Sequence, residues 1–231
     1  MKKKKTTTLS NRLTALASWV PQGARLADIG SDHAYLPLYL LERGQIQYAV
    51  AGEVVAGPYQ SALKNVAEAG AQDAIAVRLA DGLAAIELAD AIDTVTIAGM
   101  GGRLIRDILA QGEDQLAGVS HLLLQPNNRE EELRTWLVEN GYKLAAEGIL
   151  EEKGKIYEYL WAQTGKSSLT DRDLRFGPYL LKEKSEVFIK KWLKEQAKLE
   201  KALAAIPAIH EQERLELTRK IQEIKEVLDE S

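Results

Sequence analysis

Short apolar segments alternate with helical segments five times between residues 26 and 139, and this alternation restricts the fold more than any other feature. A regular succession of strand and helix predicts a parallel sheet covered by helices on both faces. After Gly141 come two strand-like runs joined by a turn at residues 152–154, which predicts an antiparallel hairpin. The predicted strands cover residues 26–29, 46–52, 74–79, 93–98, 119–124, 142–150 and 155–163. The expected fold is therefore α/β with a mixed sheet.

The C-terminal part of the chain has a different pattern. Residues 165–169 have the composition of a linker, and two charged stretches at 178–206 and 208–228 carry apolar residues at spacings of three and four. Such spacing predicts amphipathic helices. The break at Pro207 predicts that they fold back as an antiparallel hairpin, which coiled-coil packing could stabilise. We therefore expect a sheet domain at residues 1–165 and a helical domain at residues 166–231.

The turn after the first strand holds one glycine, Gly30, between two acids, Asp28 and Asp32. Turns that bind dinucleotides or phosphate need several glycines, so that backbone N–H groups can approach the phosphate. Two carboxylates would repel a pyrophosphate but suit a cationic ligand such as S-adenosylmethionine (SAM), which has a sulfonium and an amino group. The alternative is a plain strand end followed by a helix that Ser31 or Asp32 caps.

Acids also follow the second and third strands, where the carboxyl ends of parallel strands form a ligand crevice. Glu53, followed by Val54, is placed to accept hydrogen bonds from the ribose hydroxyls of a nucleoside. Asp81 can accept from an adenine amino group, while Gly82 lets the ring approach the backbone. The alternatives are a solvated acid at Glu53 and an ordinary turn at Asp81-Gly82.

The fourth and fifth strands end in small and amide residues. Glycines leave room for a cofactor and a target base to meet over bare backbone, and amides can orient a base edge. The alternatives are a flexible turn after the fourth strand and a helix cap after the fifth. The residues concerned are Ala98, Gly99, Met100 and Gly101 after the fourth strand, and Gln125, Pro126 and Asn127 after the fifth.

Composition excludes several classes of protein. The chain has no cysteine and only three histidines, far apart, so we expect no disulfide, no metal site and a reducing compartment. No apolar run approaches the ~20 residues that cross a membrane. The basic segment Lys2–Lys5 is not followed by the apolar core of a secretory signal. We therefore expect a cytoplasmic protein that does not enter a membrane.

The charge distribution identifies a candidate nucleic-acid surface. The net charge is −4, yet residues 182–201 carry seven lysines against four glutamates. A basic helix can neutralise phosphates, and such binding weakens as the salt concentration rises. We expect these contacts from Lys190, Lys191, Lys194 and Lys198, and the alternative is a solvated helix face.

Eleven short motifs occur in a fixed order. They are A-D-I-G-S-D-H-A-Y-L-P (27–37), A-G-E (51–53), G-P (57–58), R-L-A-D-G-L (78–83), T-I-A-G-M-G-G (96–102), L-L-Q-P-N (123–127), L-R-x-W-L (133–137), I-L-E-E (149–152), K-I-Y-E (155–158), F-G-P (176–178) and K-W (191–192). As a set, they resemble the TrmK family of bacterial tRNA (adenine-N1)-methyltransferases, which act on adenine 22 of tRNA. The resemblance extends from Leu9 to about Trp192.

This resemblance implies a class I SAM-dependent methyltransferase domain, with a Rossmann-like sheet ending in an antiparallel hairpin, and a C-terminal coiled coil. It implies methyl transfer from SAM to N1 of adenine 22, with tRNA as the partner. It places Asp32 as the candidate catalytic acid. The cofactor residues that it implies are Gly30, Asp32, His33, Glu53, Asp81, Gly82 and Gly99–Gly101.

Two other functions are compatible with the residues alone. One is a SAM-dependent methyltransferase of a small molecule or a protein, in which the basic helix is a solvated face. The other is a non-catalytic interaction protein that uses its helical hairpin to bind a partner. The sequence leaves the oligomeric state open.

Overall fold

Seven strands form one sheet in the computed structural model, which describes residues 7–230 and therefore not the basic segment Lys2–Lys5. The strand order is β3-β2-β1-β4-β5-β7-β6, in which β1 to β5 are parallel and β7 is antiparallel to both of its neighbours. The strands are β1 Ala24–Ile29, β2 Ile46–Glu53, β3 Ile75–Leu79, β4 Thr94–Met100, β5 His121–Pro126, β6 Tyr142–Glu152 and β7 Lys155–Thr164. The predicted mixed sheet with a terminal hairpin is confirmed.

The sheet is buried on both faces because its inner strands carry apolar residues at successive positions. On β1, Leu26 belongs to the core beneath α1, α2 and α3, while Ala27 and Ile29 belong to the core on the opposite face, beneath α4 and α5. The strand order reverses between β1 and β4. The carboxyl ends of these two neighbouring strands therefore border one crevice, as the sequence predicts.

Five helices alternate with the strands of the sheet region, as the sequence predicts. They are α1 Asn11–Ala17, α2 Tyr35–Glu42, α3 Ala56–Ala69, α4 Gly102–Gln111 and α5 Glu130–Glu139. A glycine at position 70, after a helical pattern, predicts a helix end, and Gly70 does end α3 in the left-handed conformation with φ of 66°. Apolar spacing from Leu9 to Val20 predicts a first helix longer than the observed α1.

The C-terminal helices correct the sequence prediction in two ways. The stretch 178–206 is not one helix, because Lys184 is left-handed with φ of 44° and the Ser185 side chain caps a new helix. An additional helix begins after Thr170, whose side chain forms a capping box with Asp173. The four helices are α6 Asp171–Phe176, α7 Pro178–Glu183, α8 Glu186–Ala205 and α9 Glu211–Asp229.

Helices α8 and α9 are antiparallel, which agrees with the predicted hairpin. Phe188 and Trp192 of α8 pack with Ile224 and Val227 of α9 in a small apolar core. At the end of the hairpin where α8 connects to α9, the guanidinium of Arg214 donates hydrogen bonds to the carbonyls of residues 203 and 206. These bonds fix the end of α8 against α9. The coiled-coil form of this hairpin and the domain boundary at residue 165 stay predictions.

A buried group of charges joins these helices to the sheet, and we call it the charged anchor: Arg134, Glu147, Glu158 and Lys191. Arg134 is 0% exposed and donates to both glutamates at 2.6 Å. Lys191 of α8 donates to the other oxygen of Glu158, also at 2.6 Å. The charged anchor thus connects α5, both strands of the terminal hairpin and α8.

Two findings concern the described residues only. Within 7–230, no helix is both long and apolar enough to cross a lipid bilayer. The same residues contain no group of three histidine, aspartate or glutamate side chains arranged to hold a metal ion.

Candidate functional site

The turn after β1 is held in an uncommon backbone conformation. Gly30, Asp32, His33 and Ala34 all have positive φ, between 45° and 69°. The backbone N–H groups of Gly30 and Ser31 both donate to the carbonyl of Gly52, which ties the turn to β2. Such conformations cost energy for residues other than glycine, and they persist where the surrounding structure imposes them.

This turn corrects the prediction that Ser31 or Asp32 caps the next helix. Helix α2 begins at Tyr35 after Ala34, and no side chain caps it. The Ser31 hydroxyl donates instead to Asp28 at 2.6 Å. Three left-handed residues, 32–34, lie between Ser31 and the helix, and neither the Ser31 nor the Asp32 side chain donates or accepts a capping hydrogen bond.

Asp28 is buried beneath the turn rather than exposed in the crevice. Its second carboxylate oxygen accepts from Thr96, the neighbouring residue on β4, at 2.6 Å. Burial raises the pKa of Asp28 to about 6, although the hydroxyls of Ser31 and Thr96 oppose the shift. Asp28 therefore links the ends of β1 and β4 through these two hydrogen bonds.

Glu53, at the end of β2, is the most unusual polar group in the crevice. It is 6% exposed, and its Oε1 atom is buried without a hydrogen-bond partner among the described residues. Burial raises the pKa of Glu53, while hydrogen bonds from the backbone N–H groups of His33 and Asp32 lower it by less. A buried acceptor without a donor costs free energy, so this atom is well suited to a ligand hydroxyl.

The other predicted cofactor residues border the same crevice. The Asp32 side chain is 77% exposed, and its carboxylate lies 3.4 Å from the His33 ring. Val54 and Asp81 are exposed, and the backbone N–H of Ala80 donates to the carbonyl of Glu53, which brings the ends of β2 and β3 together. These side chains surround Glu53 with acidic and apolar surface.

The glycine-rich end of β4 lies against the turn after β1. Gly99 is exposed, with φ of 77°, and it bulges out of the pairing between β4 and β5. The Met100 side chain lies directly over Gly30, because a Cβ atom added to Gly30 would be 2.1 Å from its terminal methyl carbon. Gly102 is packed against the carbonyls of residues 128 and 129 in the same way. The glycines therefore serve close approach between the strand ends.

The hydrogen bonds of Gln125 disfavour the prediction that its amide orients a base edge. It is buried, and its Oε1 accepts from the Arg12 guanidinium at 2.6 Å and from the Gly99 N–H at 3.1 Å. Its Nε2 donates to the carbonyl of Pro126 and to Asn127 Oδ1. All of its hydrogen-bonding capacity is used, so Gln125 positions the strand ends and is not available to a base.

Asn127 differs from Gln125, because it is exposed and its Nδ2 donates to the Gly99 carbonyl at 2.7 Å. Its oxygen accepts only the weak 3.3 Å bond from Gln125 and keeps acceptor capacity. Pro126 is buried behind it. Of the three residues predicted for the base, only Asn127 presents a side chain to the crevice opening.

A cleft of about 1080 Å³ extends from Asn127 and Asn128 to the C-terminal helices. Among the predicted phosphate-binding lysines, Lys191, Lys194 and Lys198 border it, together with arginines of α6 and α9. Lys198 is exposed, with 75% of its side chain accessible, and Lys194 is exposed as well. The cleft therefore joins the strand ends to a surface that contains several cations.

The ion pairs of Lys191 disfavour the prediction that it contacts phosphate. It is mostly buried and pairs with both Glu130 and Glu158. Lys190 is half-exposed and pairs with Glu151 at 2.5 Å. Glutamates therefore neutralise both lysines. Lys198 pairs only with Glu195 of its own helix, at 3.3 Å and near the solvent, and Lys194 forms no ion pair within residues 7–230. These two are the predicted lysines best placed for a ligand.

Sequence reasoning missed Arg12 and Thr96 at this site. The pattern around α1 predicts a helix, but nothing marks Arg12 as a partner of Gln125, 113 residues away. Thr96 lies within an apolar run, and its role depends on strand register. A polar residue inside a buried strand was the only sequence feature that could have identified it.

Comparison with known proteins places the chain in a family. A family model described as TrmK, tRNA (adenine(22)-N(1))-methyltransferase, matches residues 26–226. The tRNA (adenine(22)-N(1))-methyltransferase of Bacillus subtilis strain 168 is 43% identical over 237 residues, covering 96% of this chain and 97% of the relative.

Two solved structures share the whole fold. A Streptococcus pneumoniae protein in complex with S-adenosyl-L-methionine is 56% identical with a TM-score of 0.90, covering 96% of this chain and 100% of that one. M. capricolum TrmK in complex with S-adenosyl-homocysteine is 29% identical with a TM-score of 0.85, covering 96% of this chain and 98% of that one. The chain belongs to the TrmK family of tRNA (adenine(22)-N(1))-methyltransferases.

Proposed function

We propose that this chain transfers a methyl group from SAM to N1 of adenine 22 in tRNA, with the crevice at the ends of β1, β2 and β4 as the cofactor site. The family to which it belongs is defined by this reaction, and the enzyme is accordingly a SAM-dependent tRNA (adenine-N1)-methyltransferase. Because tRNA is the substrate, we also propose a cytoplasmic location.

The observation that carries the cofactor assignment is the buried Oε1 atom of Glu53, which has no partner among the described residues. The backbone N–H groups of His33 and Asp32 lower the pKa of this carboxylate, which can accept the ribose hydroxyls of the cofactor. The acids of the turn after β1 would repel a phosphate group, but SAM carries no phosphate. The residues present therefore fit this cofactor.

Other residues of the crevice complete the proposed cofactor site. The exposed carboxylate of Asp32 provides negative charge for the cationic end of the cofactor, next to His33. Asp81 can accept from the adenine amino group, while Gly82 and exposed Val54 border the ring. Asp28, Ser31 and the segment Ala98–Gly101 hold the strand ends that form the site, and we assign them no side-chain contact.

The chemistry of the target atom explains why the site has no obvious general base. When bound, SAM supplies a methyl group attached to a positively charged sulfur. N1 of neutral adenine has a free lone pair, so no side chain must remove a proton before attack. The residues act mainly by alignment, which can contribute ~7–11 kcal/mol. Gly99 and Asn127 lie where the base would enter, and Asp32 favours the positive charge that the base acquires.

We propose that the sheet region and the C-terminal helices both bind tRNA. Exposed Lys194 and Lys198 of α8, beside the cleft, bind phosphates, with Lys190 at the edge and Lys191 as support. Adenine 22 must leave its stack to reach Gly99, so the crevice receives a flipped base.

The test is methylation of a tRNA transcript that has adenine at position 22. The enzyme is incubated with SAM that carries a labelled methyl group, and the digested nucleosides are separated by mass. We expect one labelled 1-methyladenosine per transcript, and none from a matched transcript with guanine at position 22. Label in another nucleoside, or none in either transcript, would contradict the proposed function.

A further inference from the structure

Arg12 is a cation at the crevice opening to which the proposed function has so far assigned no task. It lies in α1, and one guanidinium nitrogen donates to Gln125 Oε1 at 2.6 Å. A Cβ atom added to Gly99 would be 3.3 Å from that nitrogen, so the guanidinium lies beside Gly99 at the end of β4. The guanidinium carbon lies 5.6 Å from the centre of the Tyr157 ring.

Most of the hydrogen-bonding capacity of Arg12 is unused. A guanidinium has five N–H donors, and the Gln125 contact is the one hydrogen bond that Arg12 makes within residues 7–230. No carboxylate in that range forms an ion pair with it, whereas Arg103 and Arg129 both pair with Glu132. The Arg12 charge is therefore not neutralised by the described part of the chain.

Holding Gln125 in place does not explain a positive charge here. Gln125 already accepts the Gly99 N–H, so a neutral side chain could supply the second donor equally well. The methylated base is itself a cation, and a cation placed beside it would slow the reaction. An unpaired guanidinium at this opening is suited to an anionic group. Two anions come close to it in the proposed reaction, the carboxylate of SAM and the phosphates of the RNA, and the SAM measurement below distinguishes them.

We propose that Arg12 binds a phosphate next to the target adenosine and thereby holds the flipped nucleotide over Gly99. This assignment rests on the proposed function, because the ligand is taken to be RNA. Gln125 fixes one edge of the guanidinium, and Tyr157 supports its face. The remaining N–H groups are directed at the backbone of the nucleotide, away from the base itself.

The experiment measures tRNA binding by direct titration at several salt concentrations, without methyl transfer. The variants are Arg12→Gln, which removes the charge but keeps a polar N–H donor, and Arg12→Lys, which keeps the charge. The control is Arg43→Gln, at the C-terminal end of α2, whose guanidinium also lies over a tyrosine ring, that of Tyr39. SAM affinity is measured for every variant.

We expect Arg12→Gln to weaken tRNA binding about 10- to 100-fold, the effect of one charge-assisted hydrogen bond. It should reduce the salt slope by about 0.7–0.9, the value for one phosphate contact. Arg12→Lys should keep the slope, and neither variant should change SAM affinity. A wild-type slope in Arg12→Gln, an equal loss in Arg12→Lys, or a parallel loss of SAM binding would overturn the proposal.

A modified tRNA locates the contact. In this tRNA, a neutral methylphosphonate replaces the phosphate on either side of position 22. We expect the replacement to weaken binding by the wild-type enzyme and to have little effect on Arg12→Gln. Equal effects on both proteins would overturn the assignment. Because these measurements are of binding, they stand even if the methylation assay fails, and the two failures are distinguishable.

Discussion

The crevice and the charged anchor both contain buried carboxylates, but the two regions differ in how many hydrogen-bond partners those carboxylates have. In the charged anchor, Arg134 and Lys191 occupy the oxygens of Glu158, and the backbone N–H of Tyr179 adds a bond to Glu147. In the crevice, the buried Oε1 atom of Glu53 has no donor within the described chain. The first region is satisfied internally, and the second has capacity for a ligand.

The pKa shifts express the same difference. Burial alone would raise the pKa of Glu158, but Lys191 and Arg134 together lower it. Burial raises the pKa of Glu53, and no cation within residues 7–230 reverses that shift. Compensated buried charges hold a structure together, whereas uncompensated ones reduce stability and are found where function requires them.

The largest expected effect is from breaking the charged anchor. Arg134→Met leaves two buried carboxylates without their shared cation, which should lower the free energy of unfolding by about 3–5 kcal/mol. Urea denaturation measures this change. Arg103→Met removes an exposed guanidinium that also pairs with a glutamate, and it should have little effect. Equal losses in both variants would show that the charged anchor is no more than another surface ion pair.

The next effect concerns Asp28, which is buried without a cation. Its pKa is about 6 in the folded protein against 3.8 for an unperturbed side chain. Its contribution to stability is therefore fully present below about pH 4 and is lost as the pH rises past 6, by about 3 kcal/mol. Asp28→Asn should remove this pH dependence, and Thr96→Val, which deletes a hydroxyl that lowers the pKa, should increase it.

Urea denaturation at pH 4, 5, 6 and 7 tests this prediction. The stability of Asp28→Asn relative to the wild type should rise across the series. Parallel curves for the two proteins would mean that Asp28 is not buried as a charged group.

A smaller effect is expected for the exposed lysines of α8, and it differs in kind from the effect expected for buried Lys191. Lys194→Gln and Lys198→Gln should each weaken tRNA binding several-fold and reduce the salt slope by about 0.9. Lys191→Met should instead lower the free energy of unfolding, because Lys191 pairs with buried Glu158. Lys64→Gln, on α3 far from α8, is the control for titrations at several salt concentrations. If Lys191→Met changed only the salt slope, the charged anchor would be wrongly assigned.

Local patterns predict the sheet well because most of its strands are short apolar runs that end in a glycine, an acid or an amide. They also predict the end of α3 at Gly70, since glycine adopts the left-handed conformation easily. The break at Lys184 could not be predicted, because lysine favours helices and rarely adopts the left-handed conformation. The capping box of Thr170 and Asp173 is a local pattern, so the start of α6 is predictable from the sequence.

At the site, the sequence indicates which residues lie at the strand ends but not which of them are free. Gln125 is occupied by Arg12, and Lys191 by Glu158, each from a distant part of the chain. Burial of Asp28 depends likewise on the register between β1 and β4. Partners of this kind are set by the tertiary structure, which local spacing does not encode.

The most direct test of the central claim compares SAM affinity and stability in Glu53→Gln. Removing the buried charge should weaken SAM binding about 10- to 100-fold, since a hydrogen bond to a charged group is lost. The free energy of unfolding at pH 7 should stay equal or rise, because the raised pKa means that the charge costs stability in the free protein. Wild-type SAM affinity, or a loss of stability like that of Arg134→Met, would contradict the account.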